Sequence, residues 1–460
     1  MTPRLYAAAL LVFMFGASAG AQSTSQIIAQ TSGPFSGSVT SGSATADPLP
    51  LTLADAIERG LKHNLGLISI EQQVESARGS RLRTLRELMP RVDARMSDTA
   101  QTTNLAAFGF DSSLFPGMPS IVGPFNIFDA RIAGSQTVFD LGAMNDVRSK
   151  TAALNAARLD SLNARETVVF VITNLYFQAV AGENRIQTAR SQVTTAEALL
   201  AQASALRNAG AAPGIDVVRA QVQVQSQRQR LISAETDFGR QTIQLVRAIG
   251  VPTAQRIELS DRTLSLPAPS LGLDAALARA ASARADYQAS MERVHSAESA
   301  LQAAKTDIVP SFHVNGDFGA IGSAPSDARR TYSVSANVRV PLFDQDRRGR
   351  EVENAATLRQ RQSETADLAQ RIEAEVRTAF LDVQAAEQQL AVARERVSLA
   401  GQELSLARIR FTAGVTNNLE VIQAQDEVAA ASDIEVAATY AVNVARAGLV
   451  RTLGPADTSR

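Results

Sequence analysis

The chain contains no cysteine and no tryptophan, and only three histidines among its 460 residues. Without cysteine there can be no disulfide, no thiolate metal site, no cysteine nucleophile and no cysteine that carries a lipid. Glu292 and His295 lie three positions apart on a predicted helix, a spacing known from metal sites in helix bundles, but no second cluster accompanies them. No zinc spacing, phosphate-binding loop or nucleophile motif occurs either. We therefore predict that the protein is not an enzyme and has no metal or cofactor site.

An excess of charge of one sign is also missing. The formal net charge is −1, from 45 basic and 46 acidic residues, and no block of like charge stands out. Because a nucleic-acid-binding surface needs concentrated positive charge, nucleic acid is not expected as a partner. The abundance of Ala, Gln, Arg, Glu and Leu is typical of long helices.

Long apolar runs are scarce, and the one near the N-terminus predicts an export signal. Arg4 supplies positive charge, residues 5–19 are apolar, and Ala19-Gly20-Ala21 fits a small-x-small cleavage site. A membrane anchor is the alternative, but this run is shorter than the roughly 20 residues that a spanning helix needs. We expect a signal peptide at 1–21 and a flexible leader, rich in Ser, Thr, Gly and Ala, at 22–50.

The most informative feature that is present is an internal duplication. Anchor residues recur without a gap at a shift of 204 positions, so that Phe139, Gly210 and Gly250 correspond to Phe343, Gly414 and Gly454. Upstream of these anchors the shift is 220, and the first copy therefore carries 16 extra residues between Pro90 and Phe139. We assign the first repeat to 51–252 and the second to 271–455. A duplicated unit of this size predicts two structural repeats in each chain.

Each copy is predicted to run helix, strand pair, very long helix, turn, helix. The first helices are expected at about 52–88 and 274–308, each followed by a proline. Thr52 and Asp55 have the spacing of a capping box. The long helices are expected to end at Gly210 and Gly414, where glycine suits a left-handed cap, and a second helix should follow each turn.

The long helix of the second copy has the clearest periodicity. Large and small apolar residues alternate at spacings of three and four, which is the coiled-coil pattern. The large positions are Val376, Val383, Leu390, Val397, Leu404 and Phe411, and the small ones are Ala379, Ala386, Ala393, Ala400 and Ala407. A continuous helix over 344–412 would be roughly 100 Å long, which is more than a globular domain needs.

Strands are predicted at about 90–139 and 310–343. In the second segment Tyr332 and Val334 alternate with Ser333 and Ser335, and a period of two over about nine residues suits a tilted membrane strand. Nine of the 17 Phe fall in these two segments, as they do in aromatic girdles at a membrane surface. A soluble β subdomain with one wet face is the alternative. Four strands are too few to close a barrel, so membrane strands here would require several chains to share one.

The order of elements, together with one motif, resembles the TolC-like outer membrane efflux proteins. The motif runs Phe411-Thr-Ala-Gly414-Val-Thr-Asn-Asn-Leu419-Glu420-Val421-Ile422-Gln-Ala424-Gln425. The first copy has Gly210, Ile215-Asp216-Val217-Val218 and Ala220-Gln221 at the matching positions. The resemblance covers roughly residues 50–455. It implies a fold that is mainly α with membrane β, in which a homotrimer forms a 12-stranded β-barrel continuous with a long α-helical coiled-coil periplasmic tunnel.

The function that this resemblance implies is an outer membrane exit duct of a tripartite efflux or type I secretion system. The duct would conduct substrates passively, with its helices in the periplasm of a Gram-negative-type cell. Its partners would be a periplasmic adaptor, an inner-membrane pump and outer membrane lipid. The competing prediction is a secreted periplasmic coiled-coil scaffold protein without a pore.

The resemblance also implies roles near the helix tips. In the family, acidic residues just past the second turn ring a closed aperture, and the matching residue is Glu420, with Asp216 at the equivalent position of the first copy. Gln423 stands where a second acid is common, and Thr416 where some members have a basic gating residue. Three converging Glu420 side chains would favour cations. The alternative for both acids is an ordinary first-turn carboxylate stabilised by the helix dipole.

Gly210 and Gly414 mark the two turns that the family uses to dock its adaptor. A helix cap is the plain structural explanation for both glycines, and it is compatible with docking.

Overall fold

The structure, a computed structural model, describes residues 33–109, 117, 119–210, 213–261, 265–267 and 270–454. The predicted signal peptide at 1–21 lies outside the described residues. The chain divides into two compact units. The first comprises Met1–Ile68, Thr167–Ala268 and Asp382–Gly448, and the second comprises Ser69–Glu166, Pro269–Leu381 and Leu449–Arg460. Within the described part of the chain, no helix combines the length and apolarity of a membrane span.

The described residues form mostly helices, with a small number of strands. The helices are α1 (Leu53–His63), α2 (Leu65–Leu85), α3 (Leu141–Asn208), α4 (Gly214–Ala248), α5 (Leu273–Ala283), α6 (Ala285–Thr306), α7 (Gln345–Thr412) and α8 (Asn418–Thr452). The strands are β1 (Leu49–Leu51), β2 (Arg91–Asn104), β3 (Ile121–Phe139), β4 (Ile257–Leu259), β5 (Ser311–Gly322) and β6 (Arg329–Arg339). The long helices α3 and α7 have 68 residues each, and the helices that follow them have 35 residues each.

The coiled-coil pattern predicted for the second long helix is confirmed by burial. The five alanines at the small positions of the pattern are buried, and so are Val376, Val383 and Phe411 at the large positions. In the first unit, Phe411 and Ala407 of α7 pack with Leu199 of α3 and Val421 of α8. The small alanines let neighbouring helices approach closely, and the larger residues fill the space between them.

The first helix of each copy is interrupted, which corrects the continuous helices predicted at 52–88 and 274–308. The backbone of Asn64 is extended and its side chain is fully buried. The side-chain Nδ2 donates to the Phe35 carbonyl at 2.6 Å, and Oδ1 accepts from the Leu67 backbone amide at 3.2 Å. Arg284 has nearly the same backbone angles and ends α5. The Asn64 side chain competes with the helix by accepting from a backbone amide. The Arg284 side chain instead pairs with the carboxylates of Asp286 and Glu375. The capping box of Thr52 and Asp55 is present as predicted.

The described part of the predicted leader, residues 33–50, forms hydrogen bonds with other residues of the first unit. The flexibility expected for 22–50 stays a prediction. The Val39 amide donates to the His63 carbonyl at 2.8 Å, and the Ser41 amide donates to the Gly250 carbonyl at 2.9 Å. Strand β1 then pairs in parallel with β4. The ring of Phe35 against Gly66 and the hydrogen bonds of Gln255 to Thr45 and Asp47 add to this attachment. The sequence pattern missed it because the partners lie on other segments of the chain.

Gly250 shows how closely the leader passes. Its φ is +73°, and a Cβ there would lie 2.5 Å from the Cβ of His63 and 3.0 Å from the Val39 carbonyl oxygen. Only glycine combines this backbone conformation with so little space.

The second unit contains one antiparallel sheet with the strand order β2-β3-β5-β6. Ser97 pairs with Asp129, Ile132 with Phe318, and Phe318 with Tyr332. The strands lie within the segments predicted at 90–139 and 310–343. The strands β2 and β6 are the two edges of this sheet.

Candidate functional site

One face of the four-stranded sheet carries large apolar side chains that are exposed. These residues, which we call the apolar face, are Val92, Met96, Ile132, Phe318, Tyr332, Val334 and Val338. Tyr332 and Val334 are 78% and 76% exposed. A contiguous exposed apolar surface of this kind is what a membrane strand presents to lipid.

The opposite face, which we call the polar face, carries the residues between them. It includes Arg91, Asp93, Arg95, Asp129, Arg131, Ser135, His313, Asn315, Asp317, Ser333, Asn337 and Arg339. At its centre the Arg131 guanidinium donates to Asp129 at 2.7 Å and to Asp317 at 3.0 Å, and the Ser333 hydroxyl also donates to Asp317. The sheet therefore has the alternation of lipid-facing and water-facing side chains seen in membrane barrels.

The sheet is open at both edges within the described residues. Strands β2 and β6 each have one paired side only. In lipid an unpaired backbone group costs several kcal/mol, so these edges need partners if the sheet is to lie in a membrane. Other copies of the same chain offer such edges, since β6 of one copy could pair with β2 of the next.

The turn of the second helical hairpin has the predicted glycine cap. Gly414 has a φ of +71°, and its amide donates to the Phe411 carbonyl at 3.1 Å. The Val415 amide donates to the Arg410 carbonyl at 3.0 Å, which completes the helix-ending motif. Gly210 has a φ of +70° in the first copy, and its amide donates to the Arg207 carbonyl at 2.9 Å.

Glu420 lies in the first turn of α8 and is paired within its own chain. Its carboxylate is 3.5 Å from Nε of Arg410 on α7, and its side chain is 38% exposed. Thr416 is half-buried in the preceding turn, and Gln423 is exposed one turn further on. The aperture roles of these three residues stay predictions. The pairing with Arg410 was not anticipated, although Arg410 stands in the last turn of α7, where basic residues are favoured.

Asp216 is located differently from its counterpart in the second copy. It is only 3% exposed, and its carboxylate is 3.5 Å from Arg219. Its backbone carbonyl accepts a hydrogen bond from the buried side chain of Asn418 at 2.7 Å. The first turns of α4 and α8 are therefore joined directly. The aperture role of Asp216 and its alternative, a first-turn acid, both stay predictions.

Asp426 is a structural hub that the sequence reasoning missed. One of its oxygens accepts from Gln223 at 3.1 Å and from Gln227 at 3.3 Å, and it lies 3.3 Å from Arg230. The three donors lie at i, i+4 and i+7 on one face of α4, and this polar stripe is the signal that could have revealed the link. These interactions of Asp426, together with the hydrogen bond from Asn418 to Asp216, connect α4 to α8.

A group of charged residues in the second unit has pKa values shifted from their ordinary ones. Arg284 donates to Asp286 and to Glu375, each at 2.6 Å. Burial opposes ionisation of Asp286, but the hydrogen bonds and charge of Arg284 lower its pKa. Burial, reinforced by the nearby charge of Asp286, raises the pKa of Glu166. Arg451 lies close enough to lower the pKa of Asp286 further.

The described residues contain no group of three or more His, Cys, Asp or Glu side chains that could hold a metal ion. Glu292 and His295 lie 3.6 Å apart on α6 as an isolated pair.

Comparison with known proteins identifies relatives over most of the chain. A family model described as "Outer membrane efflux protein" matches residues 56–251 and 276–455. The pyoverdine export outer membrane protein OpmQ of Pseudomonas aeruginosa is 24% identical over 415 residues, which is 87% of this chain and 85% of that protein.

Solved structures share the fold at lower identity. The outer membrane protein VceC of Vibrio cholerae matches with a TM-score of 0.73 and 16% identity, covering 87% of this chain and 96% of that one. The Neisseria gonorrhoeae MtrE outer membrane channel, solved in its open state, matches with a TM-score of 0.74 and 15% identity, covering 87% and 88%.

Proposed function

Because the chain belongs to the outer membrane efflux protein family, we propose that it assembles as a homotrimer that forms the exit duct of a tripartite export system. The protein is an outer membrane efflux channel, and the family has a transport role. The competing prediction of a periplasmic scaffold without a pore does not agree with this membership. Each chain would contribute four strands to a 12-stranded barrel, and two helical hairpins to the periplasmic tunnel.

The observation that carries the assembly proposal is the four-stranded sheet with an exposed apolar face and two open edges. A sheet of four strands cannot close on itself, whereas eight strands is the usual minimum for a membrane barrel. If three copies pair β6 of one chain with β2 of the next, every strand has two neighbours and no edge remains in the lipid. The polar faces then line the lumen and the apolar faces contact lipid.

The assembly is tested by fractionation and mass measurement. We expect the full chain, expressed with its own N-terminal segment, to appear in the outer membrane fraction. Native mass spectrometry of the detergent-solubilised protein should give three times the mass of one chain. Recovery as a monomer in the soluble periplasm would contradict both the location and the assembly.

The turns at Gly210 and Gly414 are proposed as docking points for a periplasmic adaptor, which would link the duct to an inner-membrane pump. Both glycines are exposed, and a Cβ at either would meet no atom within 4 Å. This open space is available to a partner. The pump would supply the energy, and the duct would conduct passively.

Glu420 is proposed to give the periplasmic aperture a preference for cations. Three copies would place three carboxylates near one axis. Their summed negative charge would attract cations, although each carboxylate is paired with Arg410 at 3.5 Å. Replacing Glu420 with Gln should lower the cation-to-anion permeability ratio, measured from the reversal potential under a salt gradient. An unchanged ratio would exclude this role for Glu420.

A further inference from the structure

A polar cavity of about 470 Å3 lies against the polar face, at the end of the sheet where β2 begins and β6 ends. All four strands line it, through Arg91 of β2, Ser135 of β3, Asn315 of β5, and Asn337 and Arg339 of β6. The turn that follows α2 adds Arg86 and Glu87. The cavity is therefore built by elements from both sequence repeats.

Positive charge dominates the cavity. Among the described residues that line it, three are arginines and one, Glu87, is a carboxylate. Arg91 is paired with Asp93 at 2.7 Å. Arg86 and Arg339 are exposed, and neither side chain makes an ion pair or hydrogen bond to any described residue. Two guanidinium groups are thus left to bind something else.

The neutral groups around the cavity are suited to hydrogen bonding. Asn315 and Asn337 carry amides that can donate to an oxyanion. His313 is already held, because its two ring nitrogens lie 3.2 Å from the Thr137 hydroxyl and 3.0 Å from the Ser311 hydroxyl. We therefore assign the binding capacity to the arginines and amides, not to the histidine.

The middle of the polar face differs from this end. There the Arg131 guanidinium forms ion pairs with two carboxylates, those of Asp129 and Asp317, at hydrogen-bonding distance. The arginine at the centre of the sheet is ion-paired, whereas Arg86 and Arg339 at its end are not, so the cationic character is confined to the cavity.

We propose that this cavity binds anionic cargo, specifically carboxylate-bearing solutes, as they pass through the lumen. Guanidinium groups bind carboxylates through two parallel hydrogen bonds, which gives both affinity and a fixed orientation. The proposal rests on the proposed function, since the polar face must line the lumen. In the assembled trimer the site would occur three times around the pore.

The test uses the full-length trimer in planar lipid bilayers, with citrate as the probe anion. Citrate should reduce the KCl current through the wild-type channel in a concentration-dependent manner. Replacing Arg339 with Gln should raise the half-blocking concentration about tenfold, which corresponds to about 1.4 kcal/mol, because one charge-assisted hydrogen-bond donor is lost. Raising the KCl concentration should weaken the block in the wild type.

Two further variants make the test specific. Arg330→Gln removes an arginine from the same strand, but on the opposite face of the sheet, and should leave the block unchanged. Glu87→Gln removes the one carboxylate among the described lining residues and should strengthen the block. The KCl conductance of each variant reports that its pore has formed.

The outcomes separate the two proposals. If the channels conduct KCl and citrate blocks the wild type and Arg339→Gln equally, or blocks neither, the anion site is wrong and the duct stands. If the purified trimer conducts no current at all, the duct fails and the anion site fails with it.

Discussion

At the scale of single residues, the charged cluster around Arg284 makes the stability of the second unit depend on pH. The folded state raises the pKa of Glu166 above its ordinary value of 4.5, because burial and the charge of Asp286 disfavour the carboxylate. The folded protein therefore holds this proton more tightly than the unfolded chain does. Its contribution to stability is present below pH 4.5 and is lost as the pH rises through the raised pKa.

Replacing Glu166 with Gln should remove this loss. We expect the melting temperature of the wild type relative to Glu166→Gln to fall as the pH rises above 4.5, measured by thermal unfolding in detergent. Glu298→Gln on α6, which changes an exposed glutamate, serves as the matched control and should follow the wild type. Parallel curves for wild type and Glu166→Gln would contradict the argument.

The residues that sequence reasoning identified well are those whose role follows from local spacing. The capping box at Thr52 and the glycine cap at Gly414 depend only on neighbours in the chain, and both are present. Asp426 and Asn64 were missed because their partners lie on other elements: Asp426 binds residues about 200 positions away, and Asn64 binds Phe35. The unpaired state of Arg339 likewise depends on the whole sheet.

At the scale of elements, Gly401 inside α7 and Gly414 in the turn after α7 provide an opposed pair of substitutions. Gly414 has a φ of +71° at the end of the helix, whereas Gly401 lies inside it, and neither position has an atom within 4 Å of a Cβ. Gly414→Ala should destabilise the hairpin by about 1–2 kcal/mol, since alanine disfavours the left-handed conformation. Gly401→Ala should stabilise it by about 0.5–1 kcal/mol.

Hydrogen exchange of the α7–α8 turn would measure both effects. Faster exchange for Gly414→Ala together with slower exchange for Gly401→Ala is the expected result. If both variants shift exchange in the same direction, the cap does not determine the stability of this turn.

The sheet allows a second comparison between neighbouring residues. Val334 lies on the apolar face and Ser335 on the polar face, so arginine should be costly at the first position and tolerated at the second. The expected penalty for Val334→Arg is about 2–4 kcal/mol near the middle of the membrane. Outer membrane recovery after mild heating should fall for Val334→Arg and not for Ser335→Arg. Equal recovery would mean that the apolar face does not contact lipid.

Elements with strong periodicity were the most predictable. The heptads of α7 reflect its one buried side, and the alternation in β6 reflects its one apolar side. Helix and strand could therefore be inferred from the sequence alone. The breaks at Asn64 and Arg284 could not, because each has, besides a local partner, a distant one that the fold brings close, Phe35 for Asn64 and Glu375 for Arg284. The attachment of residues 33–50 was missed for the same reason, since its partners, among them Gly250 and Gln255, lie about 200 positions away.

At the scale of the whole molecule, the duplication explains how many strands and helical hairpins each chain provides. Two copies supply four strands and two long hairpins, and three such chains would supply the twelve strands and twelve tunnel helices of a closed duct. A closed ring of identical chains requires that one edge of the sheet, β6, can pair with the other edge, β2, of the next copy. The 16 extra residues fall between Pro90 and Phe139, within the hairpin of β2 and β3, and they leave the pairing of these two strands in place.

The central claim is that assembled copies of this chain enclose a pore, and single-channel recording tests it most directly. The purified full-length trimer, added to a planar lipid bilayer in KCl, should give discrete conductance steps of uniform size. The same preparation should be helical by circular dichroism and trimeric by mass. A folded, trimeric protein that inserts into the bilayer and conducts no ions would contradict the account.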